Sequence, residues 1–259
     1  MKRALVTGAG KRLGRAMALY LADRGFDVAV HYSTSRDAAE EVASLIRSKG
    51  QRAETLQADL LNEAEVESLL AAAASSLGGA VTCLVNNASI FEHDTIESAT
   101  RGSWDRHMES NLRAPFVLMQ AMAAQGLEPH LDEANEPVAS GLVVNMLDQR
   151  VRKLTPDFST YTLAKMGLWA LTQTAAQGLA PAIRVNAIGP GPTLQGARQS
   201  ADQFAAQRAA TVLGRGVGPD DICAALGYLL DAKGVTGQLI CVDGGQHLGW
   251  QTPDVLGPE

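Results

Sequence analysis

The sequence predicts an α/β protein in which helices cover both faces of one doubly wound, seven-stranded, mostly parallel sheet. Short apolar runs rich in branched residues alternate with amphipathic helical segments along the chain, and this alternation is typical of βαβ units with right-handed crossovers. The apolar runs are continuous, as expected for strands covered on both faces. The 259 residues are compatible with one α/β domain, which commonly reaches about 250 residues. We therefore expect a single Rossmann-type domain spanning residues 1–259.

Strands and helices are expected in alternation. The strand-like runs cover residues 4–6, 28–32, 53–56, 81–85, 142–146, 183–187 and 238–242. The first helical stripe runs from Leu13 to Leu21 and stops at Gly25, where a glycine can end a helix. Further helices are indicated at about 36–49, 62–77, 101–125, 156–180, 199–212 and 219–231. In such a fold the ligand crevice lies at the carboxyl ends of the strands, so functional residues should follow the strands directly.

Three segments fall outside this alternation. Residues 126–141 contain two prolines and several acidic or amide side chains, which indicates a surface excursion. Residues 193–216 are rich in Ala, Gln and Gly with few bulky apolar side chains, so we expect a mobile lid. The tail at 246–259 carries Leu248 and Trp250, and it is too apolar to extend into water. It either packs on its own core or meets a neighbouring subunit.

Composition and charge exclude several classes of protein. With 22 basic and 28 acidic side chains, the chain has a net charge of −6 and a pI near 5.4, so it lacks the basic surface of a nucleic-acid-binding protein. No run reaches the ~18 apolar residues of a membrane helix, and the apolar run after Lys2 and Arg3 is too short for a signal peptide. The three cysteines form no CxxC pair, and the five histidines show no ligand spacing. We expect a soluble, cytoplasmic protein without a metal site.

A glycine-rich segment joins the first strand to the first helix. Thr7-Gly8-Ala9-Gly10-Lys11-Arg12-Leu13-Gly14 places glycines where the backbone must turn tightly and bring amide N–H groups at a helix N-terminus onto a pyrophosphate. A glycine cluster alone also fits a plain tight turn. Its position between a strand and an amphipathic helix favours a dinucleotide site.

The end of the second strand favours NADP(H) over NAD(H). An NAD site usually has a carboxylate here, about 20 residues after the glycines, to hold the ribose 2′-hydroxyl. The stretch is instead His31-Tyr32-Ser33-Thr34-Ser35-Arg36, whose hydroxyls and guanidinium suit a 2′-phosphate. The alternative is that Ser35 only caps the next helix and Arg36 is solvated. Asp59, after the third strand, is placed either to accept from an adenine amino group or to cap the helix near Asn62.

Tyr161 and Lys165 are one helical turn apart and therefore share a face. An ammonium near a phenol stabilises the phenolate, so we expect the pKa of Tyr161 to lie below its usual ~10 and the phenol to pass a proton during hydride transfer. This spacing is common on helices by chance and becomes specific only in combination with other motifs.

With these residues the chain resembles the short-chain dehydrogenase/reductase family from about Arg3 to Trp250. The matching motifs occur in family order: Thr7 to Gly14, Asp59-Leu60, Asn86-Asn87-Ala88, Asn111, Tyr161 with Lys165, Pro190-Gly191 and Val242-Asp243-Gly244-Gly245. The resemblance implies that Lys165 also holds the nicotinamide ribose and that Asn111 anchors a water in a proton relay. It further implies a symmetric homotetramer. The residues implied to line the cofactor are Leu13, Leu60, Asn87, Ala88, Ser89, Pro190, Gly191 and Thr193.

Two positions depart from the common family pattern. The usual middle glycine of the first loop is Arg12, and the usual serine thirteen residues before the tyrosine is Asp148. These substitutions, together with His31-Tyr32, Asn87-Ala88-Ser89 and Phe91, resemble the pteridine reductase branch of the family and the bacterial dihydromonapterin reductases. The other interpretation of the two departures is a degenerate, inactive member.

The chemistry gives each of these side chains a use. Phe91 can cover one face of a flat pterin ring while the nicotinamide covers the other. Arg12 can neutralise phosphate charge and donate to a pterin oxygen or nitrogen. Asp148 can accept from pterin N–H groups or, if burial raises its pKa, pass a proton through Tyr161. The alternatives are a core position for Phe91 and a strand-end capping role for Asp148.

The leading hypothesis is therefore an NADPH-dependent reductase of a pterin or folate-like ring. Tyr161 would donate the proton, Lys165 would tune it, Asp148 would assist and Phe91 would stack on the substrate. The second hypothesis is a carbonyl or 3-oxoacyl reductase of the same family, for which a serine is expected at position 148. The third is a non-catalytic NADP-binding protein on the same fold.

Overall fold

A seven-stranded parallel sheet forms the centre of the computed structural model, which describes residues 2–196 and 199–250. The strands are β1 (Arg3–Val6), β2 (Asp27–Tyr32), β3 (Ala53–Gln57), β4 (Cys83–Asn86), β5 (His130–Leu131), β6 (Pro137–Val138), β7 (Gly141–Met146), β8 (Ile183–Pro190) and β9 (Leu239–Val242). The sheet has the order β3-β2-β1-β4-β7-β8-β9, and every neighbouring pair is parallel. The predicted doubly wound α/β fold is thus confirmed.

Helices pack on both faces of this sheet. The helices are α1 (Arg12–Asp23), α2 (Arg36–Ser48), α3 (Glu63–Leu77), α4 (Arg101–Met108), α5 (Ala114–Ala124), α6 (Ser159–Gly178), α7 (Ala201–Ala209) and α8 (Pro219–Asp231). Residues of α1, α2 and α8 join one buried cluster, and residues of α3, α5 and α6 join the other. In β2, Val28 and Val30 face the first cluster while Ala29 faces the second. Burial on both faces explains why the strands read as continuous apolar runs.

Several helix boundaries differ from the sequence-based expectations. The helix expected at 101–125 is interrupted by a π-helical turn at Glu109–Arg113, and π turns of this kind are frequent at functional sites. The helix expected at 156–180 begins only at Ser159, because Phe158 has a left-handed backbone (φ +61°) that cannot continue a helix. The surface excursion at 126–141 contains the antiparallel pair β5–β6.

The lid and the tail are described only in part. The expected lid at 193–216 contains α7, none of whose described residues is buried, and residues 197–198 lie outside the described residues. In the tail, Leu248 and Trp250 are 60% and 63% exposed, so within the chain these two side chains do not pack on the core. Residues 251–259 lie outside the described residues. Across the described part of the chain, every helix is too short or too polar to span a membrane.

Candidate active site

The crevice lies where the chain reverses direction across the sheet. After β1 the chain builds outward to β3 and then returns to place β4 on the opposite side of β1. In an open α/β sheet this switch point, at the carboxyl ends of the strands, is where ligands bind. The loops that follow β1, β4, β7 and β8 therefore supply the site.

Thr7 joins the loops that follow β1 and β4. Its Oγ1 accepts from the amides of Asn87 and Ala88, each over 2.9 Å. In return the side-chain amide of Asn87 donates to the carbonyl oxygens of Thr7 (2.8 Å) and Gly8 (3.3 Å). The predicted cofactor residues Asn87 and Ala88 are thus fixed against the glycine loop.

Gly14 lies against this same junction without room for a side chain. A Cβ added there would lie 2.2 Å from the Gly8 carbonyl oxygen and 2.6 Å from Asn87 Nδ2. Gly8 itself has a left-handed backbone (φ +62°), which glycine adopts at no steric cost. The loop therefore brings the start of α1 close to the crevice, where the amides of a first helical turn have no partner within the helix. This geometry fits a dinucleotide pyrophosphate, with Leu13 partly buried beside it.

The His31 ring packs against the glycine loop with both of its nitrogens bonded within the protein, and the predicted contact of this residue with the cofactor stays a prediction. The ring is 1% exposed, and its Nδ1 accepts from the Gly8 amide over 3.0 Å. Its Nε2 therefore carries the proton and donates to the Ala58 carbonyl over 3.1 Å. Burial lowers the pKa of His31, consistent with a neutral ring.

The end of β2 presents hydroxyls to solvent. Ser33, Thr34 and Arg36 are exposed, and Tyr32 is partly buried. Ser35 occupies the N-cap position of α2 without a side-chain capping hydrogen bond, and Arg36 is exposed, so both the phosphate role and the capping alternative stay predictions. The predicted 2′-phosphate residues therefore lie together at one edge of the crevice.

Asp59 is exposed at the end of β3, and Leu60 beside it is buried. Asp59 Oδ1 accepts from the amide of Leu61 over 3.0 Å, while Asn62 occupies the N-cap position of α3. The capping alternative for Asp59 is therefore wrong. The side chain of Leu60 belongs to the buried core cluster, and its predicted cofactor contact stays a prediction.

The loop after β8 leads into the segment that is expected to form a lid. Gly191 lies against Asp243, and a Cβ added to this glycine would approach Asp243 Cβ to 2.6 Å. Thr193 is buried, and its hydroxyl donates to the Gly191 carbonyl over 3.0 Å. Pro190 ends β8. These three predicted cofactor residues form one tightly packed wall.

Arg12 is bonded to the segment expected to form a lid, and its predicted contacts with a phosphate or a pterin stay a prediction. Its guanidinium donates to the carbonyls of Leu194 (3.0 Å) and Gln195 (2.8 Å). The backbone of Arg12 is left-handed (φ +54°), which explains why a glycine is usual at this place in the family pattern. The two hydrogen bonds connect the loop after β1 to residues 194 and 195, at the start of the segment expected to form a lid.

Asp148 and Tyr161 meet at the carboxyl edge of β7. The Tyr161 hydroxyl donates to Asp148 Oδ2 over 3.0 Å. The other carboxyl oxygen, Oδ1, accepts from the Arg150 amide over 2.8 Å and caps a short 3-10 helix. Burial raises the pKa of Asp148, although Arg150 acts against this rise. The carboxyl group therefore both caps a turn and faces the phenol.

Lys165 is buried on the same face of α6 as Tyr161. Its Nζ donates to the Met146 carbonyl over 2.8 Å and is 5.6 Å from the centre of the Tyr161 ring. Burial lowers the pKa of Lys165 to about 8. The expectation of a lowered pKa for Tyr161 is wrong here, because burial and the Asp148 carboxyl raise it well above its usual value. The phenol is held in its protonated form.

Phe91 is 43% exposed, so the core alternative for Phe91 is wrong. Its ring lies edge-on to Tyr161, with centroids 4.7 Å apart, and is stacked on Phe158 at 4.2 Å. The Arg150 guanidinium lies 4.8 Å from the Phe158 centroid. Sequence reasoning missed Phe158, although an aromatic residue three positions before Tyr161, after Thr155-Pro156-Asp157, was a usable signal.

Asn111 lies in the π-helical turn and is fully buried. Its side-chain amide donates to the Ile90 carbonyl (2.8 Å) and its Oδ1 accepts from the Ile90 amide (2.9 Å). The side chain thus holds the segment that carries Ser89 and Phe91. Among the described residues there is no group of three or more His, Cys, Asp or Glu side chains suited to a metal ion.

Comparison with known proteins identifies the family. The family model for enoyl-(acyl carrier protein) reductases matches residues 8–247. The 3-oxoacyl-[acyl-carrier-protein] reductase FabG of Staphylococcus epidermidis is 33% identical over 252 residues, which are 95% of this chain and 99% of FabG. The chain belongs to the short-chain dehydrogenase/reductase family, as its motifs predicted.

Solved structures show the same fold over nearly the whole chain. FolM alternative dihydrofolate reductase 1 from Brucella canis, complexed with NADP, has a TM-score of 0.90 at 41% identity and covers 98% of this chain and 97% of its own. The landomycin C-6 ketoreductase LanV, with bound NADP and rabelomycin, has a TM-score of 0.83 at 32% identity and covers 96% and 97%. Relatives that act on different substrates thus share this architecture.

Proposed function

We propose that the protein is an NADPH-dependent reductase of a pterin or folate-like ring. The observation that carries the proposal is the hydrogen bond between Tyr161 and the Asp148 carboxyl, beside the exposed ring of Phe91. A serine at position 148 would orient a ketone, whereas a carboxyl can accept from ring N–H groups and exchange a proton with the phenol. The likeness to FolM, a dihydrofolate reductase by its name, supports this substrate class.

The glycine loop and the end of β2 would hold NADP(H). When bound, NADPH supplies the hydride for the reduction. The amides at the start of α1 would bind the pyrophosphate, while Ser33, Thr34 and Arg36 would bind the 2′-phosphate. The residues proposed to line the remainder are Leu13, Asp59, Leu60, Asn87, Ala88, Ser89, Pro190, Gly191, Thr193 and, at the nicotinamide ribose, Lys165. The NADP in the FolM and LanV structures supports this choice of cofactor.

Tyr161 is proposed as the proton donor. Its raised pKa keeps the phenol protonated until a basic substrate atom comes within reach. Burial raises the pKa of Asp148, so this carboxylate takes up a proton more readily than an ordinary aspartate and can pass that proton to the phenolate after Tyr161 has protonated the substrate. Lys165, charged below its pKa of about 8, stabilises the phenolate electrostatically. Asn111 would anchor a relay water through its main chain, since its side chain is bonded to Ile90.

The substrate would lie with one face on Phe91. A flat heterocycle gains both burial and ring stacking from an exposed aromatic side chain. The polar edge of the ring would then face Asp148 and Tyr161, which are already oriented by their mutual hydrogen bond. Substrate orientation therefore depends on groups whose positions are set before binding.

A carbonyl or 3-oxoacyl reductase is the second candidate, and the likeness to FabG over nearly its entire length supports it. A substrate panel separates the two. The purified protein is mixed with NADPH and a dihydropteridine, dihydrofolate, a 3-oxoacyl thioester or a simple ketone, and NADPH oxidation is followed. Turnover of a pteridine or folate is expected. Turnover of ketones with none of any pteridine would overturn the proposal in favour of the second candidate.

The same panel tests the non-catalytic alternative. Tight NADPH binding by fluorescence, without turnover of any substrate, would favour a binding protein. Both Tyr161 and Lys165 are present and share one face of α6 beside Asp148, which argues for catalysis.

We also propose a homotetramer. Leu163 and Met166 of α6 and Phe116 of α5 are exposed apolar side chains on neighbouring catalytic-side helices, and such surfaces are common where subunits meet. Light scattering on the eluted protein is expected to give four times the chain mass of 27.3 kDa. A monomeric mass would contradict this.

A further inference from the structure

A chain of buried polar groups connects α4 to the start of α6. His107 of α4 is fully buried, and its Nε2 accepts from the Glu92 amide over 3.2 Å. Because this nitrogen accepts, the ring proton is on Nδ1, which donates to Thr160 Oγ1 over 2.7 Å. The Thr160 hydroxyl then donates to the carboxylate of Asp94. The bond from the Glu92 amide to Nε2 thus sets the tautomer of His107, and this tautomer sets the direction of the bonds to Thr160 and Asp94.

The charge states agree with this order. Burial lowers the pKa of His107, so the ring is neutral at neutral pH. Burial alone would raise the pKa of Asp94, but hydrogen bonds from the hydroxyl and the amide of Thr160 outweigh it and lower this pKa. The hydrogen bonds thus run from the neutral imidazole of His107, through the hydroxyl of Thr160, to the carboxylate of Asp94. Thr160 is 2% exposed and Asp94 is 2% exposed, so water does not compete for these bonds.

The two ends of this hydrogen-bond network lie beside Phe91 and Tyr161, the two aromatic residues of the reaction site. Glu92 follows Phe91 directly, and Thr160 precedes Tyr161 directly. Asp94 is bonded to the Thr160 amide (3.1 Å) through its side chain and to the Phe158 amide (2.7 Å) through its carbonyl. The segment that carries Phe91 is therefore tied to the first turn of the helix that carries Tyr161.

We infer that His107, Thr160 and Asp94 are positioning residues that set the distance between the Phe91 ring and the Tyr161 hydroxyl. The inference rests on the proposed role of Tyr161 as proton donor, but it does not depend on which substrate is reduced. The glycine loop and the end of β2 lie outside the network. Breaking the network should therefore impair the chemical step and leave cofactor binding intact.

The test compares two substitutions at Thr160, with the substrate that the wild-type protein reduces. Thr160→Val keeps the shape and removes both hydrogen bonds of the hydroxyl, whereas Thr160→Ser keeps the hydroxyl. We expect Thr160→Val to lower kcat by about tenfold or more, because small displacements of a proton donor are costly. Thr160→Ser should stay within about threefold of wild type, and NADPH affinity by fluorescence should change by less than about twofold in both.

Thr82→Val is the matched control. The Thr82 hydroxyl also accepts from the Arg3 amide and donates to the Arg3 carbonyl (3.2 Å each). These bonds lie at the amino ends of β1 and β4, away from the crevice. It should lose stability without losing kcat. If Thr160→Val retains full kcat, or if Thr160→Ser falls as far as Thr160→Val, or if NADPH affinity falls by the same factor as kcat, the positioning role is overturned.

His107→Asn provides a second variant should Thr160→Val fail to fold. The amide nitrogen of the new asparagine can replace Nδ1 as the donor to Thr160, but its side chain is too short to accept from the Glu92 amide. The segment that carries Phe91 therefore loses its hydrogen bond to position 107. KM for the substrate should rise by several-fold more than kcat falls, about fivefold against twofold. Equal KM for variant and wild type would contradict the inference. Loss of activity in Tyr161→Phe with wild-type kinetics in both network variants would overturn this inference alone, whereas an active Tyr161→Phe would overturn the proposed function.

Discussion

The two halves of the crevice are built from different parts of the chain. On the nucleotide side, Gly14 closely approaches the backbone of Gly8. The side chains of Thr7 and His31 stabilise the loops there by accepting hydrogen bonds from backbone amides. On the reaction side, the side chains of Asp148 and Tyr161 themselves converge and shift each other's pKa. The nucleotide side therefore requires a residue without a side chain at Gly14, whereas the reaction side requires the carboxyl of Asp148 and the hydroxyl of Tyr161. Substitutions should therefore separate cofactor affinity from the rate of the chemical step.

The largest expected effect is on the reaction side. Tyr161→Phe removes the hydroxyl that donates to Asp148 and should lower kcat by about 1000-fold, as loss of a general acid commonly does. NADPH affinity should be preserved. Tyr228→Phe, at an exposed position of α8, is the control and should behave as wild type. A matching loss of NADPH affinity in Tyr161→Phe would show that the two halves are not separable in this way.

The corresponding change on the nucleotide side is Gly14→Ala. The new Cβ would lie 2.2 Å from the Gly8 carbonyl oxygen, so the loop must move. NADPH binding by titration calorimetry should weaken by about 10- to 100-fold, since overpacking of this kind costs about 1–3 kcal/mol. Gly178→Ala, in α6 with open space around the new methyl group, should bind NADPH normally. Unchanged affinity in Gly14→Ala would place the cofactor elsewhere.

Asp148→Asn sharpens the account of the proton path. In wild type, kcat/KM should fall as the pH rises through the raised pKa of Asp148, where the carboxyl loses its proton. A decrease is also expected near pH 8, where the Lys165 ammonium loses its proton. The carboxamide that Asp148→Asn introduces does not titrate, so the variant should lose the decrease assigned to Asp148, with activity about tenfold lower. Because the Asp148 charge raises the pKa of Lys165, the decrease assigned to Lys165 should move to lower pH in the variant. An unaltered pH profile in the variant would remove Asp148 from the proton path.

The smallest effect is expected at Arg12, which connects the loop after β1 to the segment expected to form a lid. Arg12→Gly relieves the left-handed backbone strain but removes the hydrogen bonds to Leu194 and Gln195, whereas Arg12→Lys keeps the charge with a single donor group. Hydrogen exchange at 194–196 should accelerate in both variants, more in Arg12→Gly, and substrate KM should rise by about threefold. Exchange equal to that of wild type would show that Arg12 does not restrain the lid.

The parts of the site that the sequence predicted are those where chain geometry leaves little freedom. The spacing of Tyr161 and Lys165 on one helix face is a property of any α-helix, and Asp148 follows a strand whose carboxyl end faces the crevice. The glycine loop was predicted from the close approach it must make. These positions depend on periodicity and connectivity, which the sequence carries directly.

The parts that were missed depend on contacts between distant segments or on local backbone. β2 is buried on both faces, so its sequence does not show that the His31 ring packs against the glycine loop with both of its nitrogens bonded within the protein. The left-handed backbone of Phe158 and the π-helical turn around Asn111 break the helical period without a glycine or proline at either position. The lowered pKa expected for Tyr161 failed because burial disfavours the phenolate and the neighbouring Asp148 carboxyl disfavours it further.

A crystal structure of the protein with NADP and a pterin or folate tests the central claim most directly. We expect the ligand ring to lie with one face on Phe91 and its polar edge to be within hydrogen-bonding distance of Asp148 and Tyr161. A ring bound away from these three residues, in crystals where the nucleotide occupies the glycine loop, would contradict it.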